Sequence, residues 1–189
     1  MGVYLNPGSQ AMAIDRRARV YVDKSGLIAR LNERVYAGGD RYVCVSRPRR
    51  FGKTMAANML CAYYQRGIDS HELFDDLEAA EGPAYREHLN AYDVVYLDMR
   101  QLLGDAGSAA AVPELVTRKL VAELSQAFPN AVDPNQTSLF EALSHAAAQP
   151  GHPGFVFIID EWDAVFRETR NDIAAQEAFI GFLRDLLKD

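Results

Sequence analysis

Cysteine is scarce in this chain. Its 189 residues include two, Cys44 and Cys61, which is too few for a disulfide-stapled secreted scaffold. They read as core residues rather than nucleophiles. Long apolar runs are missing as well, since nothing approaches the roughly 20 residues that cross a bilayer. The first ten residues hold no basic stretch leading into an apolar run, so no leader is read there. The expected compartment is the cytoplasm, with no membrane partner. Basic charge is in deficit, with 20 Lys+Arg against 26 Asp+Glu and a net charge of −6. That balance argues against a generic basic nucleic-acid binder. What is present is a globular composition, 49% hydrophobic and 24% charged, which excludes wholesale disorder. The length suits one domain of ordinary size.

The net charge hides an asymmetry. Residues 1–66 carry 12 Lys+Arg and 4 Asp+Glu, a net of +8, whereas residues 67–189 carry 8 and 22, a net of −14. Five of the positive charges are Arg41, Arg47, Arg49, Arg50 and Lys53. Such a cluster suits a phosphate-bearing partner; the plainer alternative is a solvated basic loop.

Along the chain, residues 1–19 have no clear period and read as an arm. Leu27, Ile28 and Leu31 fit a short helix with Ser25 as a candidate N-cap, broken at Gly38-Gly39-Asp40. Arg41–Ser46 is β-rich and reads as a buried strand, followed by a loop and a helix over Lys53–Gln65. Residues 67–92 suggest short helices. Asp93–Asp98 reads as a second strand and Gly104–Pro113 as a loop. Helices are expected over Glu114–Phe128, Ser138–Ala148 and Ala175–Leu187. Phe155–Asp160 is apolar until its last residue, the pattern of a strand covered on both faces. Alternating strands and helices imply an α/β fold with a mainly parallel sheet.

Between the first expected strand and its helix lies Arg47-Pro48-Arg49-Arg50-Phe51-Gly52-Lys53-Thr54. The phosphate-loop pattern G-x-x-x-x-G-K-[ST] is met at its second Gly, its Lys and its hydroxyl residue, and departs where Arg47 replaces the first Gly. Gly52 would let backbone N–H groups approach phosphate oxygens, Lys53 would neutralise the β and γ phosphates, and Thr54 would ligate Mg²⁺. Gly-Lys-Thr alone is weak evidence; its place between strand and helix strengthens it. Ile158-Ile159-Asp160-Glu161 resembles a Walker B strand end, with Asp160 holding Mg²⁺ and Glu161 deprotonating water. Asp163 fits a cap for the next helix, and Asp98 ends the intervening strand.

Tyr21-Val22-Asp23-Lys24-Ser25, Ser46 to Thr54, and Ile159-Asp160-Glu161-Trp162-Asp163 together resemble the AAA-ATPase-like family of bacteria and archaea. The resemblance runs from about Tyr21 onward, and the Arg-Pro-Arg-Arg-Phe loop is its specific part. It implies a three-layer P-loop NTPase fold of the additional-strand, catalytic-Glu type, with residues 1–40 as an arm and short helix and residues 41–189 as the ATPase core. It implies ATP and Mg²⁺ as cofactors, Arg47–Thr54 as nucleotide-binding residues, Thr54 and Asp160 as metal ligands, and Glu161 and Lys53 as catalytic residues. The family's layout places further core strands, a polar sensor residue and often a nuclease domain later. The chain is therefore expected to be C-terminally truncated, with later core strands missing and an exposed sheet edge. A second copy of the chain, and nucleic acid through the later domain, are the partners left open. Asp23 and Lys24 match the family pattern, and the sequence assigns them no mechanistic role.

Three functions compete: an ATPase, a nucleotide-binding switch or interaction module without turnover, and a nucleic-acid binder using the Arg-rich first third. His71, His88, His145 and His152 are scattered, without zinc-site spacing.

Overall fold

The computed structural model describes residues 2–35, 41–48 and 50–187. The break expected at Gly38-Gly39-Asp40 and the loop residue Arg49 lie outside the described residues. The chain packs as two compact units, one of Asn6–Val94 and one joining Gly2–Leu5 to Val95–Asp189.

The first unit holds α1 (Gln10–Arg16), α2 (Gly26–Asn32), α3 (Lys53–Tyr64) and α4 (Tyr85–His88), with 3₁₀ turns at His71–Leu73 and Glu78–Glu81. The helix α1 lies in the arm that sequence periodicity left without structure. It forms because Met12 buries and because tertiary partners hold its last turn: Asp15 accepts from Asn58 Nδ2 at 3.0 Å and Arg16 pairs with Asp76. Ser25 precedes α2 but makes no side-chain cap. Its hydroxyl instead accepts the Ala79 N–H at 2.9 Å.

The C-terminal half of α3 is buried on every side, through Cys61, Ala62, Tyr63, Tyr64 and Gln65. A buried helix end must find donors for its last carbonyls, and residues 66–92 supply them. Asn90 N–H donates to Tyr63 O at 2.7 Å, Tyr92 N–H to Tyr64 O at 2.9 Å, Ser70 Oγ to Ala62 O at 2.8 Å, and Asn90 Nδ2 to Gln65 O at 2.9 Å. Asn90 sits at φ +54, a left-handed geometry that Asn tolerates better than most residues. Around this end the Tyr63 ring meets Tyr64, Phe74 and Tyr85. Tyr63 OH donates to Tyr85 O at 2.6 Å, and Asn32 bridges both phenols, donating to Tyr63 and accepting from Tyr64.

The second unit is built on two parallel strands, β1 (Asp93–Asp98) and β2 (Phe155–Asp160), each with the bounds the sequence predicts. It adds α5 (Met99–Ala106), α6 (Val112–Ala127), α7 (Leu139–Ala147), α8 (Ala164–Glu168) and α9 (Ile173–Leu186). Leu97, Leu102, Val116, Leu120, Leu124, Val165 and Phe179 bury almost completely in one core, at about 2 kcal/mol for each large side chain. Residues 2–5 run antiparallel to β1 through Leu5 and Val95. The Glu123 carboxylate on α6 fastens them, accepting N–H groups of Val3, Tyr4 and Leu5 at 2.8, 2.9 and 2.6 Å. Pro113 stands at the start of α6, where its missing N–H costs nothing. Ser138, expected inside α7, stands just before it and caps it, accepting the Glu141 N–H.

Three further expectations about elements are corrected, and Cys44, expected in the core, is exposed. Arg41–Ser46 is not a strand: it is irregular and exposed, with Tyr42, Val43 and Val45 at 50%, 43% and 46%. β-Branched residues suit a strand only where a ladder receives them, and among the described residues the sheet has two strands, neither of them this segment. Met99–Ala106 is helical where a loop was expected from Gly104, because Asp98 caps it by accepting Arg100 and Gln101 N–H, and Gly107 at φ +72 ends it. β2 is only partly buried, Phe155, Val156 and Phe157 being intermediate, so the strand is not covered on both faces along its whole length as its apolar pattern predicts. The mixed α/β class stands.

Burial pushes the Tyr63 phenol up to about 12. It raises Tyr64 as well, reinforced by Tyr63 and Tyr92, and raises Tyr85, whose partner Asp75 adds to the effect. The folded chain therefore holds protons that an unfolded chain releases from about pH 10. Stability from this cluster is complete below that pH and is lost as pH climbs toward 12. Helical circular dichroism and phenolate absorbance are expected to change together across that window. Ordinary tyrosine titration with full helicity retained would refute the burial argument.

Candidate nucleotide-binding site

The basic loop belongs to the first unit. Its residues Arg47 and Pro48 are exposed, Arg50 takes φ +68, and Phe51 is 60% exposed. Gly52 occupies the N-cap of α3 at φ +76, a left-handed conformation open to glycine at little cost. No side chain caps this end and no acidic residue stands in the first turn, so the helix start keeps its positive character. Lys53, the first helical residue, folds back and donates from Nζ to Arg47 O at 3.0 Å, closing the loop on itself. Thr54 is exposed on the same turn.

A second lysine reaches this loop. Lys24 Nζ donates to Phe51 O at 2.7 Å. The neighbouring Asp23 accepts Ser25 N–H at 2.7 Å and Glu78 N–H at 2.9 Å. Burial alone would raise the Asp23 pKa, but these hydrogen bonds, with a smaller contribution from Arg16, outweigh it and hold the carboxyl below its usual value. Its charge is thus committed to backbone donors rather than to the lysine beside it.

The acidic cluster belongs to the second unit. Asp160 ends β2 only 7% exposed, and its Oδ1 accepts the Glu161 N–H at 2.9 Å. Glu161 turns the chain at φ +50, uncommon for a non-glycine residue. Its Oε2 accepts from Arg167 Nη2 at 2.7 Å. The other arm of the same guanidinium meets Asp163. Asp163 stands at the N-cap of α8 yet makes no cap hydrogen bond, so the expected cap is replaced by this i,i+4 ion pair. Trp162 packs edge-on against Phe166, with ring centroids 5.8 Å apart.

The structure thus gathers Arg47, Pro48, Arg50, Phe51, Gly52, Lys53 and Thr54 in one loop and helix start, and Asp160 with Glu161 at one strand end. Each cluster stands in its own unit. The donors proposed for Mg²⁺, the Thr54 hydroxyl and the Asp160 carboxylate, are hard oxygens of the kind that ion takes. Among the described residues no group of three or more His, Cys, Asp or Glu is placed to hold a metal, and none of their helices is long and apolar enough to cross a membrane. Sequence reasoning missed Arg167 entirely. The signal was Asp163 four residues before it on one helix face. Lys24 was seen without a role.

A basic loop with left-handed Gly52 at a helix start and a strand ended by Asp160 are the two features the motifs single out on this mixed α/β chain. A family model described as "Predicted AAA-ATPase" matches residues 10–189, and the chain belongs to that AAA-ATPase-like family. No curated protein and no solved structure matches the chain. Membership supports an ATPase role, and with it nucleotide use, at a coarse level.

A Cβ at position 52 would lie 2.7 Å from Lys24 Nζ as well as forcing an L residue to φ +76. Gly52→Ala is expected to cost about 1–2 kcal/mol from the backbone alone, read from urea unfolding. A change within 0.3 kcal/mol, well below that estimate, would mean the loop adopts another shape.

Proposed function

We propose that this chain binds ATP with Mg²⁺ on Arg47–Thr54 and hydrolyses its terminal phosphate with Glu161 as general base. One observation carries the reading: Gly52-Lys53-Thr54 opens α3 with Gly52 left-handed and Lys53 folded over the loop. Backbone N–H groups at a helix start and a lysine ammonium above them form a site for polyphosphate. Arg47 and Arg50 add positive charge. Mg²⁺ held through Thr54 and Asp160 would offset charge on the β and γ phosphates. Glu161 accepts the proton of the attacking water, and to do so its carboxylate must leave Arg167. On this reading residues 41–189 are the core of a three-layer P-loop fold of the additional-strand, catalytic-Glu type, reached through an arm over residues 1–40. The protein works in the cytoplasm, with a second copy of itself or nucleic acid bound through a further domain as partners.

The Arg167–Glu161 ion pair, at 2.7 Å, favours a second reading, in which the chain binds nucleotide and switches without turning it over. Both readings require binding and differ in hydrolysis. A fluorescent ATP analogue is expected to bind in a Mg²⁺-dependent manner, and Lys53→Ala to weaken it at least tenfold, the loss of a charged hydrogen bond. Glu161→Gln should keep binding and lower turnover by about 10²–10⁴. Binding unaffected by Lys53→Ala, or absent from the folded wild-type chain, refutes the nucleotide site. Binding without turnover in the wild type selects the switch.

A further inference from the structure

Lys24 stands on a short segment tied down on both sides. Asp23 accepts N–H groups from Ser25 and Glu78, and Ser25, fully buried, accepts the Ala79 N–H through its hydroxyl. The residue between them is exposed, so its stem extends outward from a fixed base. Its ammonium comes to rest on the loop, 2.7 Å from Phe51 O, in the space beside Gly52 that a side chain would otherwise fill. Lys24 thereby restrains the Phe51–Gly52 peptide. That peptide is trans, so a carbonyl directed at Lys24 sends the Gly52 N–H the opposite way. The Gly52 N–H is one of the donors at the start of α3, and no side chain caps it.

Two lysines therefore hold this loop through two of its carbonyls, Lys53 through Arg47 and Lys24 through Phe51. The described residues of the loop are mostly exposed, include two in the left-handed region, Arg50 and Gly52, and offer Phe51 as an apolar side chain that is itself exposed. Without the lysines its peptide planes would turn freely, and a ligand would have to order them at the expense of affinity.

We infer that Lys24 is a positioning residue of the phosphate site, orienting the Phe51–Gly52 peptide for a polyphosphate and placing a second ammonium beside it. The inference rests on the nucleotide reading above and adds a residue and a role to it. Substrate class follows from the chemistry. Two ammonium groups with Arg47 and Arg50 suit a chain of several phosphates better than a monophosphate.

The test uses the full chain and two probes, a fluorescent ATP analogue and inorganic tripolyphosphate as its competitor. Lys24→Met keeps the apolar stem and removes the ammonium, while Lys24→Arg restores a cationic donor. Lys24→Met is expected to weaken both probes about tenfold, the scale of one charged hydrogen bond, and to flatten the salt dependence of binding. Lys24→Arg should recover most of the loss, and the melting temperature without ligand should stay unchanged in both variants. If the wild type binds, Lys53→Ala abolishes binding and Lys24→Met binds like the wild type, the Lys24 inference falls and the nucleotide site stands. If Lys24→Met and Lys24→Arg both weaken binding and both lower the ligand-free melting temperature, Lys24 is merely structural and the inference falls. If the folded wild type binds neither probe, both readings fall.

Discussion

The helix that carries Lys53 is held at its far end by hydrogen bonds. Its last carbonyls are buried, and an unpaired buried carbonyl costs on the order of 1–3 kcal/mol. Asn90, Tyr92 and Ser70 reach back to Tyr63, Tyr64 and Ala62 and remove that cost. The tyrosine cluster then fills the space around the join. A helix fixed so firmly at its C-terminus has no freedom to point its N-terminus elsewhere. The basic loop inherits its direction from Ser70, Asn90 and Tyr92 beyond the far end of the helix, and only the loop itself is left to be organised locally.

That local organisation is electrostatic rather than apolar. Phe51 is largely exposed, so the loop gains little by burial. Its shape is set by glycine at position 52, by lysine ammonium groups on carbonyls, and by the Asp23 carboxylate spent on backbone donors. Contacts of this kind are weak singly and sensitive to salt. They are also easily exchanged for phosphate oxygens, which a packed apolar loop would not permit. At the other cluster, Arg167 spans Glu161 and Asp163, and a partly exposed ion pair of that sort can open at modest cost.

Much of this was legible in the sequence where period and composition agree. β1 and β2 show their bounds because each is an apolar run ended by an acid, and α6, α7 and α9 show theirs to within two residues by the spacing of their apolar positions. The loop and the acid pair were legible as residue types in a known order. What was not legible depends on distant partners. Tyr42, Val43 and Val45 have strand-like composition, yet composition does not reveal whether a ladder will be present to receive them. The helix α1 is stabilised by Asn58 and Asp76, and residues 3–5 are ordered by Glu123, more than a hundred positions away. No local pattern announces either.

Strained backbone offers an independent view of the same sites. Four described non-glycine residues have positive φ: Asn6, Arg50, Asn90 and Glu161. Two are asparagines, for which that geometry is mild and which are hydrogen-bonded through their side chains. The other two are Arg50 and Glu161, neither a residue that turns normally favour. Each costs about 1–2 kcal/mol to hold in the left-handed region. Their locations are the basic loop and the acidic strand end, the two places where sequence motif and family membership converge. Strain does not identify a ligand. A fold with stability to spare for only a few such residues has nonetheless kept one in the basic loop and one at the acidic strand end.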